Sequence, residues 1–174
     1  PSGGETLFAD TRASLKKLEP EHRKKLEELE AVCSLAHHDK KISLYSPGYP
    51  TLNEKERAAN PPNRVPLVLH HPVSGEAAIY GLNSSTCAIV PKGEIISDTD
   101  LDVWDLEGKE DDSVKILRDL LPFMTAPDFT VKWTWQEGDI VVWDNRCTMH
   151  AATGFDDKNY SREMWRLTLL QSNS

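Results

Sequence analysis

The stretch GDIVVWDNRCTMH, from Gly138 to His150, decides how the C-terminal part of the chain is interpreted. It places an apolar run, a tryptophan, several polar residues and one histidine within thirteen positions. Short runs rich in β-branched residues are typical of strands, so we predict a buried strand over DIVVWDN with His150 beyond its end. Arg162 and Arg166 follow twelve and sixteen residues after the histidine. A histidine followed by two spaced arginines is the first indication of a binding site.

Arg166 lies within the segment MWRLTLLQ, which we predict as the final strand, and Arg162 lies two residues before that segment. Side chains four residues apart on a strand point to the same face. If that face points inward, each guanidinium needs a partner, because a buried unpaired charge is costly. The carboxylate of a ligand fits the guanidinium fork through two parallel hydrogen bonds. Arg162 and Arg166 therefore indicate an anion site, and surface salt bridges are the alternative.

The N-terminal segment is predicted to contain one strand and two helices. Gly4–Ala9 has the pattern of a strand with Thr6 and Phe8 on one face, and Asp10 is placed to cap a short helix after it. A second helix is predicted to open at Pro20. Its apolar residues recur at helical spacing: Leu26, Leu29 and Val32.

The remaining segments predict hairpins around one further helix. The proline-rich range 40–66 is predicted as a long loop, and VPLVLHHPVSGEAAIYGL as a hairpin. The range 91–110 is acidic and turn-rich, and DDSVKILRDLLPF has the pattern of a helix. DFTVKWTW and DIVVWDN are predicted to pair across Gln-Glu-Gly. The candidate caps of the helix and its predicted inner face are Asp112 or Ser113, and Val114, Leu117, Leu120 and Leu121. This order favours an α+β fold, mainly β, as an antiparallel barrel or sandwich with helices on one face.

Length and charge exclude several classes of protein. The chain has 174 residues, enough for one domain, and a formal net charge of -8. Its acidity argues against nucleic acid or an anionic membrane as the main partner. It contains no apolar run of membrane-spanning length and no signal pattern. Three widely spaced cysteines favour reduced thiols, and with them a cytoplasmic location, over a disulfide framework or a zinc cluster.

Several motifs together carry a resemblance. GGET supplies two glycines that allow close backbone approach, followed by the hydroxyl of Thr6. GGETLFAD, the HPVSG hairpin, WxxGDIVVWDNRCTMH and RExxR occur in an order that resembles the TauD/TfdA family of iron(II)- and 2-oxoglutarate-dependent dioxygenases. The similarity runs over essentially the whole chain. GLNSSTCAIVPKGE and CTMHAATGFD further resemble a fungal branch that includes the xanthine dioxygenases.

The resemblance implies a fold, a chemistry and a set of roles. The family fold is a double-stranded β-helix, or jelly roll. By this resemblance His150 is the distal histidine of the iron-binding triad, and Arg162 grips the distal carboxylate of 2-oxoglutarate with help from Thr6. Arg166 lies near the keto-acid end and the substrate, and Trp143 forms a wall near the metal. Iron(II), 2-oxoglutarate and O2 are the implied cofactors. A two-histidine, one-carboxylate site leaves positions on iron open for the keto acid and for O2. The implied products are succinate, CO2 and a hydroxylated small molecule.

The sequence departs from the family pattern at one point. The family's His-x-Asp or His-x-Glu motif lies upstream of the Gly-Gly turn, whereas the one His-x-Asp here, His37 to Asp39, lies downstream. We interpret it as a polar helix end that enters a loop. We therefore expect residues 1–174 to be the C-terminal portion of a single dioxygenase domain, incomplete at its N-terminal side, with a loop-rich insertion at about 40–66. The upstream portion is expected to supply two iron ligands and several strands.

Three readings of the function remain open at this point. The first is a dioxygenase with a small polar or anionic substrate, with xanthine ranked ahead of a sulfonate such as taurine or an aryloxyacetate, and a homo-oligomer is compatible with it. The second is a non-catalytic half-barrel that binds anions through Arg162 and Arg166 and holds no metal. A hydrolase based on Cys147 is disfavoured, because Cys147 and His150 are three apart on an extended segment and so face opposite sides. The chain also has no nucleophile-elbow pattern.

Overall fold

The computed structural model describes residues 3–95 and 112–169, with the side chains of 112–114 left out. Within these ranges the elements in chain order are β1 (Thr6–Asp10), α1 (Thr11–Lys17), α2 (Pro20–Glu27), β2 (Leu29–Cys33), α3 (Leu35–Tyr45), α4 (Glu54–Ala59), β3 (Asn63–Pro66), β4 (Val68–His70), β5 (Ala77–Ile79), β6 (Thr86–Pro91), α5 (Asp112–Met124), a 3-10 turn (Pro127–Phe129), β7 (Thr130–Trp133) and β8 (Thr148–Ala152). Every strand pairing between these elements is antiparallel. The protein is thus a mixture of helices and antiparallel sheets, as the sequence predicts.

The first sheet has the order β7-β1-β8, with β1 in its centre. Across it, Thr6 pairs with Ala152 and Phe8 pairs with His150. Successive side chains on a strand alternate between faces, so Thr6 and Phe8 share one face of β1. Both side chains are buried. The predicted strand at Gly4–Ala9 and the predicted shared face are therefore confirmed.

The second sheet, β3-β2-β6, and the hairpin β4-β5 enclose the main apolar core. Helices α1 and α5 contribute to this core through Leu15, Leu120 and Met124. The most deeply buried large residues include Leu15 and Leu67, which are fully inaccessible to solvent. The core therefore lies beside the first sheet, on the side of the helices, and leaves the end of β8 more open.

The predicted cap of α1, the start of α2 and the hairpin of β4 and β5 are confirmed. Asp10 caps α1, since its carboxylate accepts hydrogen bonds from the backbone N–H groups of Arg12 (2.9 Å) and Ala13 (3.2 Å). Helix α2 begins at Pro20, and the predicted hairpin forms with Val68 opposite Ile79. All three cysteines are free thiols. In the described ranges, no helix combines the length and the apolar character that a membrane crossing requires.

The prediction for the residues after α2 is wrong. The helix ends at Glu27, and Leu29 and Val32 lie on β2, the central strand of the second sheet. Their spacing fits a helix, but a short apolar run buried between two neighbours does not distinguish a strand from a helix. The predicted loop at 40–66 is also more regular than expected, because it contains the end of α3, all of α4 and β3. Helix α4 begins with a capping box. The Asn53 side chain accepts from the Glu56 backbone N–H, and the Glu56 side chain accepts from the Asn53 backbone N–H.

Two predicted strands near the C-terminus are absent from the described residues. DIVVWDN contains no strand, and neither does the described part of MWRLTLLQ. A strand requires a hydrogen-bonded neighbour, and neither segment has one in the described part of the chain. His150 instead lies in the middle of β8.

In helix α5, the predicted inner face is wrong at one described residue. Leu120 is buried as predicted, but Leu121 is exposed. Adjacent helical residues point about 100° apart, so only one of the two joins Met124 on the core side. The predicted caps, the Val114 position and most of the acidic range 91–110 lie outside the described side chains.

Candidate active site

Three aromatic rings meet where β1 and β8 pair. The His150 imidazole packs on the Phe8 ring with centroids 6.2 Å apart, and Trp143 lies 4.9 Å from His150 and 5.2 Å from Phe8. The Phe8 contact follows from the register, which sets Phe8 directly opposite His150. The structure thus brings Trp143 to the histidine, as the sequence predicts, although Trp143 is not on a strand.

The environment of His150 favours its neutral form. Burial against the two rings lowers the pKa of His150, and the positive charge of Arg166 lowers it further. A metal-binding imidazole must be unprotonated. Arg166, although exposed, therefore lies close enough to act on the candidate metal ligand.

The Thr6 hydroxyl has an unused donor. Thr6 is buried, and its Oγ1 accepts a hydrogen bond of 2.9 Å from Nε1 of Trp135. The hydroxyl proton has no acceptor among the described residues. A hydroxyl both donates and accepts, so a ligand carboxylate on this face would complete the bonding of Thr6. Sequence reasoning missed Trp135, although its place in the WxxG motif was the available signal.

Arg162 reaches the same end of β1 through the Gly-Gly turn. The turn pairs with residues 153–155, as Gly4 N–H donates to the Gly154 carbonyl at 3.2 Å. A Cβ on Gly3 would lie 2.3 Å from that carbonyl oxygen, so only glycine fits there. A Cβ on Gly4 would lie 3.9 Å from Cδ of Arg162. The close backbone approach predicted from GGET is confirmed, and it places Arg162 beside β1.

The guanidinium of Arg162 has no ion pair or hydrogen bond with any residue of ranges 3–95 and 112–169. The side chain is nevertheless half-buried. A half-buried cation without a protein partner fits an anionic ligand better than a surface role. Thr6 and His150 thus share one face of the first sheet, Arg162 lies beside the Gly-Gly turn that leads into β1, and Arg166 lies near enough to His150 to affect its pKa.

The described residues fit only part of an iron centre. No cluster of three potential metal ligands occurs among them, and His150 is the one candidate at this site. His37 and Asp39 lie in the first turns of α3, both buried, instead of at a helix end as predicted. Asp39 accepts hydrogen bonds from Tyr49 Oη–H and Leu52 N–H. That pairing gives Asp39 a structural role, so His37 to Asp39 does not replace the missing motif.

Two other candidate features do not contribute to this site. The Sγ of Cys147 is directed to the carbonyl of Asp144 at 3.8 Å, and no hydrogen bond joins it to the described ring of His150. That arrangement gives no support to a hydrolase. A groove beside α3 and α4 shares no residue with the site; it is lined by Ala36, Lys40, Ser43, Thr51, Leu52 and Arg57.

Several curated proteins that are similar to this chain are named as dioxygenases. The 2,4-dichlorophenoxyacetate dioxygenase of Burkholderia sp. (strain RASC), described as alpha-ketoglutarate-dependent, is 32% identical over 98% of this chain and 50% of its own length. An alpha-ketoglutarate-dependent sulfate ester dioxygenase from Pseudomonas putida is 30% identical over 97% of the chain and 50% of its own length. The chain therefore spans about half the length of these curated relatives.

A solved structure supports the same relationship. The protein AAD-2, crystallised with Mn(II) and N-oxalylglycine, superposes with a TM-score of 0.68 at 30% identity, over 91% of this chain and 54% of that one. The sequence also matches the family described as "Taurine catabolism dioxygenase TauD, TfdA family" over residues 1–168. The chain belongs to the TauD/TfdA family of dioxygenases.

Proposed function

We propose that the protein containing this chain is an iron(II)- and 2-oxoglutarate-dependent dioxygenase that oxidises a small anionic substrate. The observation that carries the proposal is that Thr6 and His150 share one face of the first sheet while Arg162 lies beside the Gly-Gly turn that leads into β1. Among the described residues, the Thr6 hydroxyl proton has no acceptor and the Arg162 guanidinium has no ion pair or hydrogen bond. An anion that meets both and lies beside an unprotonated imidazole fits a keto acid bound next to a metal.

Each residue has a separable task in this proposal. Arg162 and Thr6 hold the distal carboxylate of 2-oxoglutarate, since a guanidinium fork and a hydroxyl donor both bind carboxylate oxygens. His150 supplies one metal ligand, and Phe8 and Trp143 pack against its ring and hold its orientation. Bound iron(II) would couple O2 reduction to decarboxylation of the keto acid and oxidation of the substrate. Arg166 offers a cation to the substrate.

We also propose that residues 1–174 are the C-terminal portion of a jelly-roll domain. Exposed apolar side chains occur in two segments that have no strand partner among the described residues, and they include Ile140, Val142, Leu167 and Leu169. Large exposed apolar patches mark surfaces that another polypeptide covers. The relatives are about twice as long as the match, so further strands of the same domain are the simplest cover. Those strands would also bring the remaining iron ligands.

The proposed substrate class is a small anion with a carboxylate or sulfate group. Relatives named for an aryloxyacetate and for sulfate esters support this class. The resemblance of GLNSSTC to a xanthine-oxidising branch ranked xanthine first, but neither relative is named for xanthine. The exposed cation of Arg166 suits a carboxylate or sulfate better than a purine, because a guanidinium binds such oxygens in pairs.

The test is succinate release by the full-length protein with iron(II), 2-oxoglutarate and ascorbate. The panel contains 2,4-dichlorophenoxyacetate, an alkyl sulfate, taurine and xanthine. We expect stimulation by one of the anionic compounds. Stimulation by xanthine alone would overturn the proposed class. No release, together with no binding of Mn(II) and N-oxalylglycine, would contradict the dioxygenase proposal itself.

A second candidate is a metal-free anion-binding protein. It is favoured by one observation, that no group of three potential metal ligands occurs among the described residues. Calorimetry with N-oxalylglycine separates the two candidates. Binding that requires Mn(II) supports the dioxygenase, whereas equal binding in the presence of a chelator supports the metal-free protein.

A further inference from the structure

His71, in the turn between β4 and β5, has a ring whose two nitrogens are both engaged. The backbone N–H groups of Val73 and Ser74 donate to its Nδ1 at 3.2 and 3.1 Å. Since N–H groups only donate, Nδ1 carries no proton, and the ring proton of the neutral form must sit on Nε2. Nε2 lies 3.0 Å from Oδ2 of Asp144. The hairpin turn therefore orients the ring to donate to Asp144.

Asp144 is held from its other side by Arg146. The guanidinium Nε lies 2.8 and 3.1 Å from the two carboxylate oxygens, and the Arg146 backbone N–H donates at 2.9 Å. Hydrogen bonds from Arg146 hold the pKa of Asp144 well below its usual range, with a smaller contribution from His71. The carboxylate is consequently ionised and accepts from both partners. His71, however, is the partner that ties it to a distant part of the chain.

This contact anchors the turn that precedes the metal-ligand strand. Residues 144–147 close a turn, as Cys147 N–H donates to the Asp144 carbonyl at 3.2 Å, and β8 begins at the next residue. Trp143, which packs on His150, directly precedes Asp144. The segment 138–143 has no strand pairing in the described part of the chain. In place of a backbone ladder, Trp143 has ring contacts with Phe8 and His150, a hydrogen bond from its Nε1 to Asn145 Oδ1 (2.9 Å) and the anchored Asp144 next to it in the chain.

The hairpin of β4 and β5 is held to helix α1 by ion pairs. Glu76, five residues after His71, pairs with Arg12 at 3.3 Å and with Lys16. Thr11 N–H in turn donates to the Cys147 carbonyl at 3.1 Å. The turn at 144–147 thus lies between two supports, one from α1 and one from His71.

We infer that His71 is a positioning residue for the proposed site. By holding Asp144, it keeps the Trp143 ring packed against His150 and fixes the place where β8 begins. The inference rests on the proposed function. His71 touches no reacting group in it and acts through Asp144. Partners that orient metal-site residues change metal affinity by about tenfold or more when removed, so we expect an effect of about that size.

The informative variant is His71→Asn. The Asn oxygen takes the place of Nδ1 and accepts from Val73 and Ser74, as Asx side chains do in turns, but its side chain is too short to reach Asp144. The variant therefore keeps the turn and removes the tie. His70→Asn is the matched control, because His70 is the exposed neighbour with no hydrogen bond from its ring to a described residue.

The measurement is Mn(II)-dependent binding of N-oxalylglycine to the full-length protein by calorimetry, with thermal unfolding followed in parallel. We expect His71→Asn to weaken binding about tenfold while His70→Asn leaves it unchanged. We also expect His71→Asn to add little to Asp144→Ala, because each of these substitutions removes the hydrogen bond between His71 and Asp144. Wild-type binding in His71→Asn, with or without a lower unfolding temperature, would leave His71 as a turn residue only and overturn the inference. Wild-type protein that binds neither probe contradicts the proposed function, and the inference falls with it.

Discussion

Strand β6 and the segment of residues 139–144, which precedes β8, have similarly apolar sequences, but their side chains differ in exposure to solvent. In β6, every residue from Thr86 to Val90 is buried between neighbouring elements. In the other segment, Ile140 and Val142 are 89% and 84% exposed. Composition therefore does not decide burial; a partner surface does. The chain buries β6 by itself, whereas Ile140 and Val142 have no covering element among the described residues.

The candidate site lies at the boundary of these two regions. Thr6 and Phe8 belong to the packed side, and His150 and Arg166 to the open side. Binding groups at such a boundary have rigid support from one direction and access from the other. Predictions on both sides of the boundary test whether this division is correct.

The largest effect is expected in the packed region. Leu67→Ala should lower the free energy of unfolding by about 2–5 kcal/mol, because it leaves a cavity at a fully buried position. Leu44→Ala is the matched control: that side chain is 74% exposed and should change stability by less than about 0.5 kcal/mol. Denaturant unfolding of the full-length variants measures both. Equal effects would erase the distinction between packed and open positions.

The next prediction concerns the open region in the full-length protein. Leu167 is 91% exposed in the described structure. If further strands cover it, Leu167→Ala should cost about 2 kcal/mol or more, close to a core leucine. Denaturant unfolding of the full-length Leu167→Ala variant measures this loss of stability. A cost below about 0.5 kcal/mol would show that this surface stays exposed and would contradict the jelly-roll proposal.

Arg162→Ala should reduce the affinity for 2-oxoglutarate by about 100-fold. Two charge-assisted hydrogen bonds together contribute about 3 kcal/mol, and each 1.4 kcal/mol is tenfold in affinity. Calorimetric titration with N-oxalylglycine measures the loss. Arg118→Ala, an exposed arginine on α5, serves as the control for charge alone. Unchanged affinity in Arg162→Ala would remove Arg162 from the proposed site.

Thr6→Val should have a smaller effect of about tenfold on the same affinity, since one hydroxyl donor to a carboxylate contributes about 1–2 kcal/mol. Valine keeps the shape of the buried side chain and removes the donor. Thr6→Ser retains the hydroxyl and should restore most of the binding. Equal losses in both variants would indicate packing as the cause and contradict the donor role.

The smallest effect concerns acid stability. Arg146 and His71 keep the pKa of Asp144 below its unfolded value, so the ionised carboxylate stabilises the fold above about pH 4. That contribution is lost as the pH falls towards the lowered folded pKa. Asp144→Asn should therefore make stability depend less on pH below about 4. An identical acid profile in the two proteins would show that Asp144 is not specifically stabilised.

The sequence predicted the parts of this molecule that local chemistry determines. Asp10 capped α1, β1 formed as expected, and the His71 turn closed a hairpin. The spacing of Leu29 and Val32 suits a helix and a strand equally, and the structure places both on a strand. The composition of residues 139–145 predicts a strand, but this segment has no strand neighbour in the described structure. Thr6 and Arg162 were placed by motif resemblance, whereas Trp135 and the Asp144 contact depend on tertiary packing and leave no local pattern.

The central position of β1 has a consequence for biosynthesis. Its two neighbours, β7 and β8, follow it by about 120 to 140 residues. At typical rates of translation, β1 would wait on the order of ten seconds or more for both partners. An apolar strand with two open edges is a template for unwanted pairing during that interval. The strand that carries Thr6 and faces His150 is thus made well before its two neighbours β7 and β8, and its edges are open to unwanted pairing during that interval.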